Sequence, residues 1–255
     1  MKQDQKKEYV DLEDYDSSVS LWQMVPSGNG KGLNKLQLIV DAVHSGPIGH
    51  SAKPLSVLIA GEAKKTHSRA FLRALGATDI AELPAYLLTL RYGFSDFVAS
   101  QEVFDALLLT NIEQTAVYYM RCLYQYLKEG RYLVKNISRI DETPFPFDII
   151  YGNCPIVLTT SDINVIPAFV KRTIDFVVTI EPYTEEQIKQ ILVQRIKYLG
   201  TIDYEGQSVI DKLVELGKGK LDKSIALLKD SLLAMHSEGK TLLTLKHVER
   251  AMLLL

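Results

Sequence analysis

Eight residues, Gly61-Glu62-Ala63-Lys64-Lys65-Thr66-His67-Ser68, have the length and both ends of a phosphate-binding loop. The pattern G-x-x-x-x-G-K-[ST] wraps phosphate oxygens in backbone amides, sets a lysine on the terminal phosphates and holds Mg²⁺ through the last hydroxyl. Gly61 and Ser68 fill the outer slots, but Thr66 stands in the second glycine slot and His67 in the lysine slot. A β-branched Thr66 resists positive φ. His67 is shorter than lysine and largely neutral at pH 7. Glu62 adds negative charge where a triphosphate would lie. Lys64 and Lys65 are expected on the loop, ahead of the helix. A plain strand-to-helix turn with a solvated charged loop explains the same residues.

Other groups carry weaker chemistry. Thr159-Thr160-Ser161 sets hydroxyls at the end of an apolar run, where turn formers are also common. Lys171-Arg172 closes a helical stretch, and a basic pair there also suits a helix carboxyl end. Arg131, Lys135 and Arg139 precede Thr143-Pro144-Phe145-Pro146-Phe147, a rigid aromatic loop. Packing on the body is the first reading of that loop, protein contact the second and DNA the third. His44, His50, His67, His236 and His247 lack metal-ligand spacing. Cys122 and Cys154 form no CxxC and read as reduced core thiols of a cytoplasmic protein. No metal and no cofactor is expected.

The elements that must position these groups are legible from periodicity. Leu55–Ala60, Ala106–Leu109, Ile156–Thr160 and Phe176–Ile180 are short apolar runs of buried-strand type. Leu33–Val43, Ala70–Leu75 and Thr115–Leu127 have helical spacing between them. From Thr184 the period is helical throughout, opening on a Thr184–Gln187 capping-box pattern. Strand–helix alternation predicts an α/β domain with a parallel sheet flanked by helices, then an all-α part. The expected divisions are an N-terminal arm over 1–32, an α/β domain over 33–181 and a helical domain over 182–255. The arm is polar, with Tyr9, Val10, Leu12 and Tyr15 scattered through it. It reads as a segment that is flexible at first and then docks.

The chain has 255 residues, 47% hydrophobic and 24% charged, with a formal net charge of −2. That balance supports a folded core and removes a global basic excess for nucleic-acid binding. No apolar run is long enough to span a membrane, and the N-terminus is not of secretory type.

In this order the elements resemble the AAA+ ATPase module, above all the RuvB branch-migration motor and next the clamp-loader subunits. The resemblance runs from about Leu33 to Leu255. It implies a P-loop-type sheet with a small helical lid. It places 61–68 at the P-loop, Thr110 and Asn111 in the Walker B acid slots, and Thr160 at sensor 1. Arg172, with Lys171, falls at the arginine finger, and Asp222 and Lys223 at sensor 2. The P-loop lysine, both Walker B acids and the sensor 2 arginine are therefore replaced, and Glu113 is expected as a surface turn residue. The winged-helix DNA anchor that follows the lid in RuvB-type motors is not expected. The resulting expectation is a pseudo-ATPase, an interaction or scaffold subunit with protein partners in a larger assembly. An active motor or clamp-loader ATPase and a nucleotide-independent DNA-binding factor are the rivals.

Overall fold

The computed structural model describes residues 30–46, 53–89, 93, 97, 103–135, 147–152, 154–199 and 202–253. The N-terminal arm up to residue 29, Lys135's side chain, Arg139 and the aromatic loop over 143–146 lie outside them. The chain divides after Glu181 into two compact units.

In the first unit the order is α1 (Lys31–His44), β1 (Ser56–Gly61), α2 (Lys64–Ala74), β2 (Ile80–Pro84), β3 (Ala106–Thr110), α3 (Val117–Glu129), β4 (Arg131–Lys135), β5 (Phe147–Tyr151), β6 (Ile156–Thr160), α4 (Ala168–Lys171) and β7 (Phe176–Ile180). Five strands form one sheet in the order β2-β3-β6-β1-β7, and every pairing in it is parallel. Leu58 of β1 lies beside Leu158 of β6 and Val177 of β7. Strands β3 and β6 are buried along their whole length. This is why they read as unbroken apolar runs rather than alternating ones. Leu58, Leu107, Leu109, Ile156 and Leu158 share a core with Leu123 and Leu127 of α3.

The edge strand β2 goes beyond what periodicity predicts. Ile-Ala-Glu-Leu-Pro is only half-buried, and its Glu82 and Pro84 are tolerated because an edge leaves one side of the ladder free. Strands β4 and β5 pair antiparallel, Arg131 opposite Tyr151 and Lys135 opposite Phe147, so paired strands flank the segment that bears the aromatic loop. At the opposite end of β1, Asp175 accepts from the Ser56 amide at 2.9 Å and its hydroxyl at 2.8 Å, and pairs with Lys53 at 2.6 Å. One carboxylate thus fixes the register of β1 against β7.

The second unit holds α5 (Glu185–Tyr198), β8 (Asp203–Tyr204), α6 (Gln207–Leu216), α7 (Leu221–Ser237), β9 (Leu242–Leu243) and α8 (Leu245–Met252). The expected capping box is present: Gln187 N donates to Thr184 Oγ1 and Thr184 N to Gln187 Oε1 at 2.9 Å. A small parallel β8–β9 pair interrupts the run of helices. Helix α8 carries a second capping box in which His247 Nδ1 accepts from Thr244 N at 3.1 Å. A histidine in the Glu/Gln position hides it from the sequence pattern.

Glu238 gathers Lys240 at 2.8 Å, His247 at 3.4 Å and Arg250 at 3.0 Å. The hydrogen bond from Lys240, followed by that from His247, holds its carboxyl down at about 2, against 4.5. A carboxyl with a depressed folded pKa stabilises the fold above its unfolded pKa. That contribution is lost as pH falls through the folded value. Glu238→Gln is therefore expected to lose less stability than wild type between about pH 4.5 and pH 2. Thermal melts across that window test this, and equal slopes would remove Glu238 as the source.

Candidate functional site

In an open parallel sheet, ligands meet the carboxyl ends of the strands. Here the ends of β3, β6 and β1 stand side by side and carry Thr110-Asn111, Thr160-Ser161 and Gly61.

Gly61 has φ +108° and pairs with Ile180 of β7. A Cβ there would fall 2.1 Å from the Ile180 carbonyl oxygen. After Gly61 only Glu62 and Ala63 precede α2. Ala63 takes the left-handed conformation, φ 49° and ψ 26°. This corrects one expectation: Lys64 and Lys65 are the first residues of the helix rather than part of a loop. The cause lies in the sequence: Lys64-Lys65-Thr66-His67-Ser68 contains no glycine to stop the helix from propagating back toward the strand.

The consequences fall on the slots that would meet phosphate. The His67 amide donates to the Ala63 carbonyl at 3.0 Å, and the His67 side chain is buried. Ser68 is buried too, and its hydroxyl donates to the Lys64 carbonyl at 2.6 Å. Lys65 and Arg69 both turn to Glu82 on β2, Arg69 at 2.7 Å.

Lys64 points across the strand ends instead. Its Nζ donates to Ser161 Oγ at 2.7 Å. Glu113 Oε1 accepts from Ser161 Oγ at 2.8 Å and from Ser161 N at 3.1 Å. Burial pushes the Glu113 carboxyl up, but its own amide and both Ser161 donors outweigh this and hold it below the ordinary value. Glu113, expected as a surface turn residue, is thus bonded to Ser161, just past the end of β6. The reach comes from Asn111, whose left-handed backbone (φ 56°, ψ 55°) opens the short 3₁₀ turn over Ile112–Gln114. The Asn111 amide donates to Thr159 Oγ1 at 3.1 Å. Thr110 is buried. The Thr160 hydroxyl donates to the Asp162 carbonyl at 3.0 Å and accepts from the Asp162 amide. Lys64, Ser161 and Glu113 are thus bonded to one another, while Glu113 Oε2 is buried without a hydrogen-bond partner among the described residues.

Lys171 and Arg172 part company at the end of α4. Lys171 Nζ donates to the Ile163 carbonyl at 3.2 Å. Arg172 caps the helix, is exposed, and has no side-chain partner among the described residues. In the other unit, Asp222 sits in the first turn of α7 with Lys220 at the N-cap. An acid there complements the positive helix end. Lys223 is exposed one residue on.

Among the described residues, no group of three or more His, Cys, Asp or Glu side chains is placed to hold a metal. None of their helices is long and apolar enough to cross a membrane. Cys154 is buried, and burial pushes its thiol up to about 11. The Lys64–Ser161–Glu113 chain escapes sequence reasoning. Each residue is visible there, but only the strand order brings the three together.

The fold matches solved structures. The Thermotoga maritima RuvB Holliday-junction branch-migration motor aligns over 94% of this chain and 73% of its own, with 17% identity and a TM-score of 0.66. A closed-state Hsp104 in complex with ATPγS and FITC casein aligns over 89% of this chain and 47% of its own, with 13% identity and a TM-score of 0.61. The S. cerevisiae Hsp104–ADP complex aligns over 91% of this chain and 49% of its own, with 14% identity and a TM-score of 0.58. No family model and no curated sequence matches. The chain therefore has a RuvB-like AAA+ fold: a five-stranded parallel sheet flanked by helices, with a mostly helical remainder.

Proposed function

We propose that this chain is a catalytically degenerate AAA+ protein that acts as an interaction or scaffold subunit of a larger assembly. Residues 33–181 form the nucleotide-binding-like domain in this reading, and 182–255 the lid. One observation carries it: helix α2 begins at Lys64, with only two residues between it and the strand, so the phosphate-wrapping stretch is already helix. A magnesium nucleotide held in the P-loop manner does not fit these residues. The amide in the lysine slot donates to the Ala63 carbonyl and the hydroxyl in the magnesium slot to the Lys64 carbonyl. Thr110 and Asn111 supply no carboxylate for a metal or a water. Lys64, whose ammonium lies across the strand ends, is held by Ser161. The test is turnover of Mg-ATP by the purified chain, alone and with junction DNA. Phosphate release above the protein-free control would return the chain to the motor class.

The partner is reached through the surface that AAA+ modules turn toward a neighbour. Arg172 supports this, since its guanidinium is exposed and spends nothing on its own chain among the described residues.

Restoring motif letters is expected not to restore binding. Thr66→Gly with His67→Lys places a glycine inside a helix, at a cost of about 1 kcal/mol, and a lysine where His67 is buried. It leaves the loop at Glu62 and Ala63. Calorimetric titration of the double variant with Mg-ATP should show no heat at micromolar nucleotide. Micromolar binding would mean that only the side chains were missing.

A further inference from the structure

Three helices of the helical unit frame an open groove of about 460 Å³: Leu216 closes α6, Ala226 and Leu227 lie on α7, and Met252 ends α8. Leu227 is buried, whereas Met252 is 49% exposed. Lys218 and Lys223 edge the groove. Lys218, Lys220 and Lys223 fall within six residues, all exposed, with no side-chain partner among the described residues. Glu215, also on the wall, is taken by Lys212 at 3.0 Å. Over 217–223 the chain carries three bases against one acid, Asp222. The groove is therefore apolar between its walls, with an excess of positive charge at one rim.

Those features say what fits. The volume falls within the roughly 300–1,000 Å³ of clefts that bury a ligand. A small polar ligand is oriented by placed hydrogen-bond donors and acceptors, but the lining side chains offer only Glu215 and the two lysines. An amphipathic helix needs no more, since apolar anchors at i, i+3, i+4 and i+7 fill such a groove. Met252 adapts its flexible thioether chain to differently shaped anchors. Because the rim is positive, the complementary flanks of that helix are Asp and Glu. We propose that the groove receives an acidic amphipathic helix of a partner protein. Its apolar anchors lie on Leu216, Ala226, Leu227 and Met252, and its acids against Lys218, Lys220 and Lys223. This goes beyond the assembly reading by naming the partner's chemistry, and it rests on neither Arg172 nor nucleotide.

Selection from a random library of displayed peptides tests it, with the full chain as bait and peptides long enough for about four helical turns. Fluorescence anisotropy then measures the enriched peptides. They should be acidic, with apolar residues at helical spacing, and their affinity should fall as salt rises. Ala226→Arg fills the groove from an exposed helix position and should weaken binding tenfold or more. Lys218→Glu with Lys223→Glu should do the same. Both variants change exposed side chains and should melt within about 2 °C of wild type. Where either melts lower, Lys223→Gln replaces it and should weaken binding about twofold to fivefold. No enrichment, enriched peptides without acids or helical spacing, or affinity that survives these variants would overturn the proposal. A full-chain dimer that Ala226→Arg dissolves would assign the groove to a second copy and overturn it too.

Discussion

Gly61→Ala is expected to lower the melting temperature by about 6–12 °C, the largest effect of any single substitution near the strand ends. Two costs add. The residue holds φ +108°, where side chains are strained, and strain of that kind costs about 1–3 kcal/mol. The new Cβ also meets the Ile180 carbonyl oxygen at 2.1 Å, in a sheet that cannot open there without losing the β1–β7 ladder. A total of about 3 kcal/mol corresponds to that shift for a protein of this size, at roughly 2–4 °C per kcal/mol. The position matters for function as well. Gly61 is the surviving glycine of the phosphate-loop pattern, yet close packing against β7 explains it without any phosphate. Differential scanning calorimetry of Gly61→Ala decides the matter. A drop of less than about 2 °C would mean that the sheet does not need this glycine.

Arg172→Glu is expected to weaken assembly with the partner tenfold or more while leaving the melting temperature within about 2 °C of wild type. Reversing a charge at an interface removes one attraction and adds a repulsion, whereas the same change on a solvated surface is nearly neutral. The structure makes this single substitution cleaner than a change at both basic residues. Lys171 donates to the Ile163 carbonyl, so altering it would perturb the loop before α4 as well. Co-purification of the variant with its complex, beside its melt, gives the answer. Undiminished assembly would move the interface away from the end of α4.

The frame of this fold is legible because its central strands are buried on both faces. Leu107, Leu108 and Leu109 are all buried, and such a run has few alternatives to an interior parallel strand. Strand β2 escapes the sequence pattern because an edge tolerates Glu82 and Pro84, which read as loop. The site is legible in its residue types and not in its geometry. The letters of 61–68 suggest a loop with the wrong side chains. The real change is the helix starting at Lys64, decided by the lack of a glycine between Ala63 and Ser68 and by the left-handed turn at Ala63. Glu113 is misplaced for a related reason. Periodicity does not foresee that Asn111 takes φ 56° and swings the following turn toward Ser161. Contacts between strands distant in sequence, such as Lys64 with Ser161, follow from strand order, which a single sequence gives only through resemblance.

Equilibrium binding of Mg-ATP to the purified wild-type chain bears most directly on whether the fold has kept its nucleotide chemistry. Saturating ligand stabilises a folded protein by mass action, about 2.7 kcal/mol at a hundredfold excess over Kd. With α2 starting at Lys64 and Lys64 held by Ser161, micromolar Mg-ATP should leave the melting temperature unchanged and give no calorimetric heat. A rise of several degrees at micromolar Mg-ATP would contradict the account.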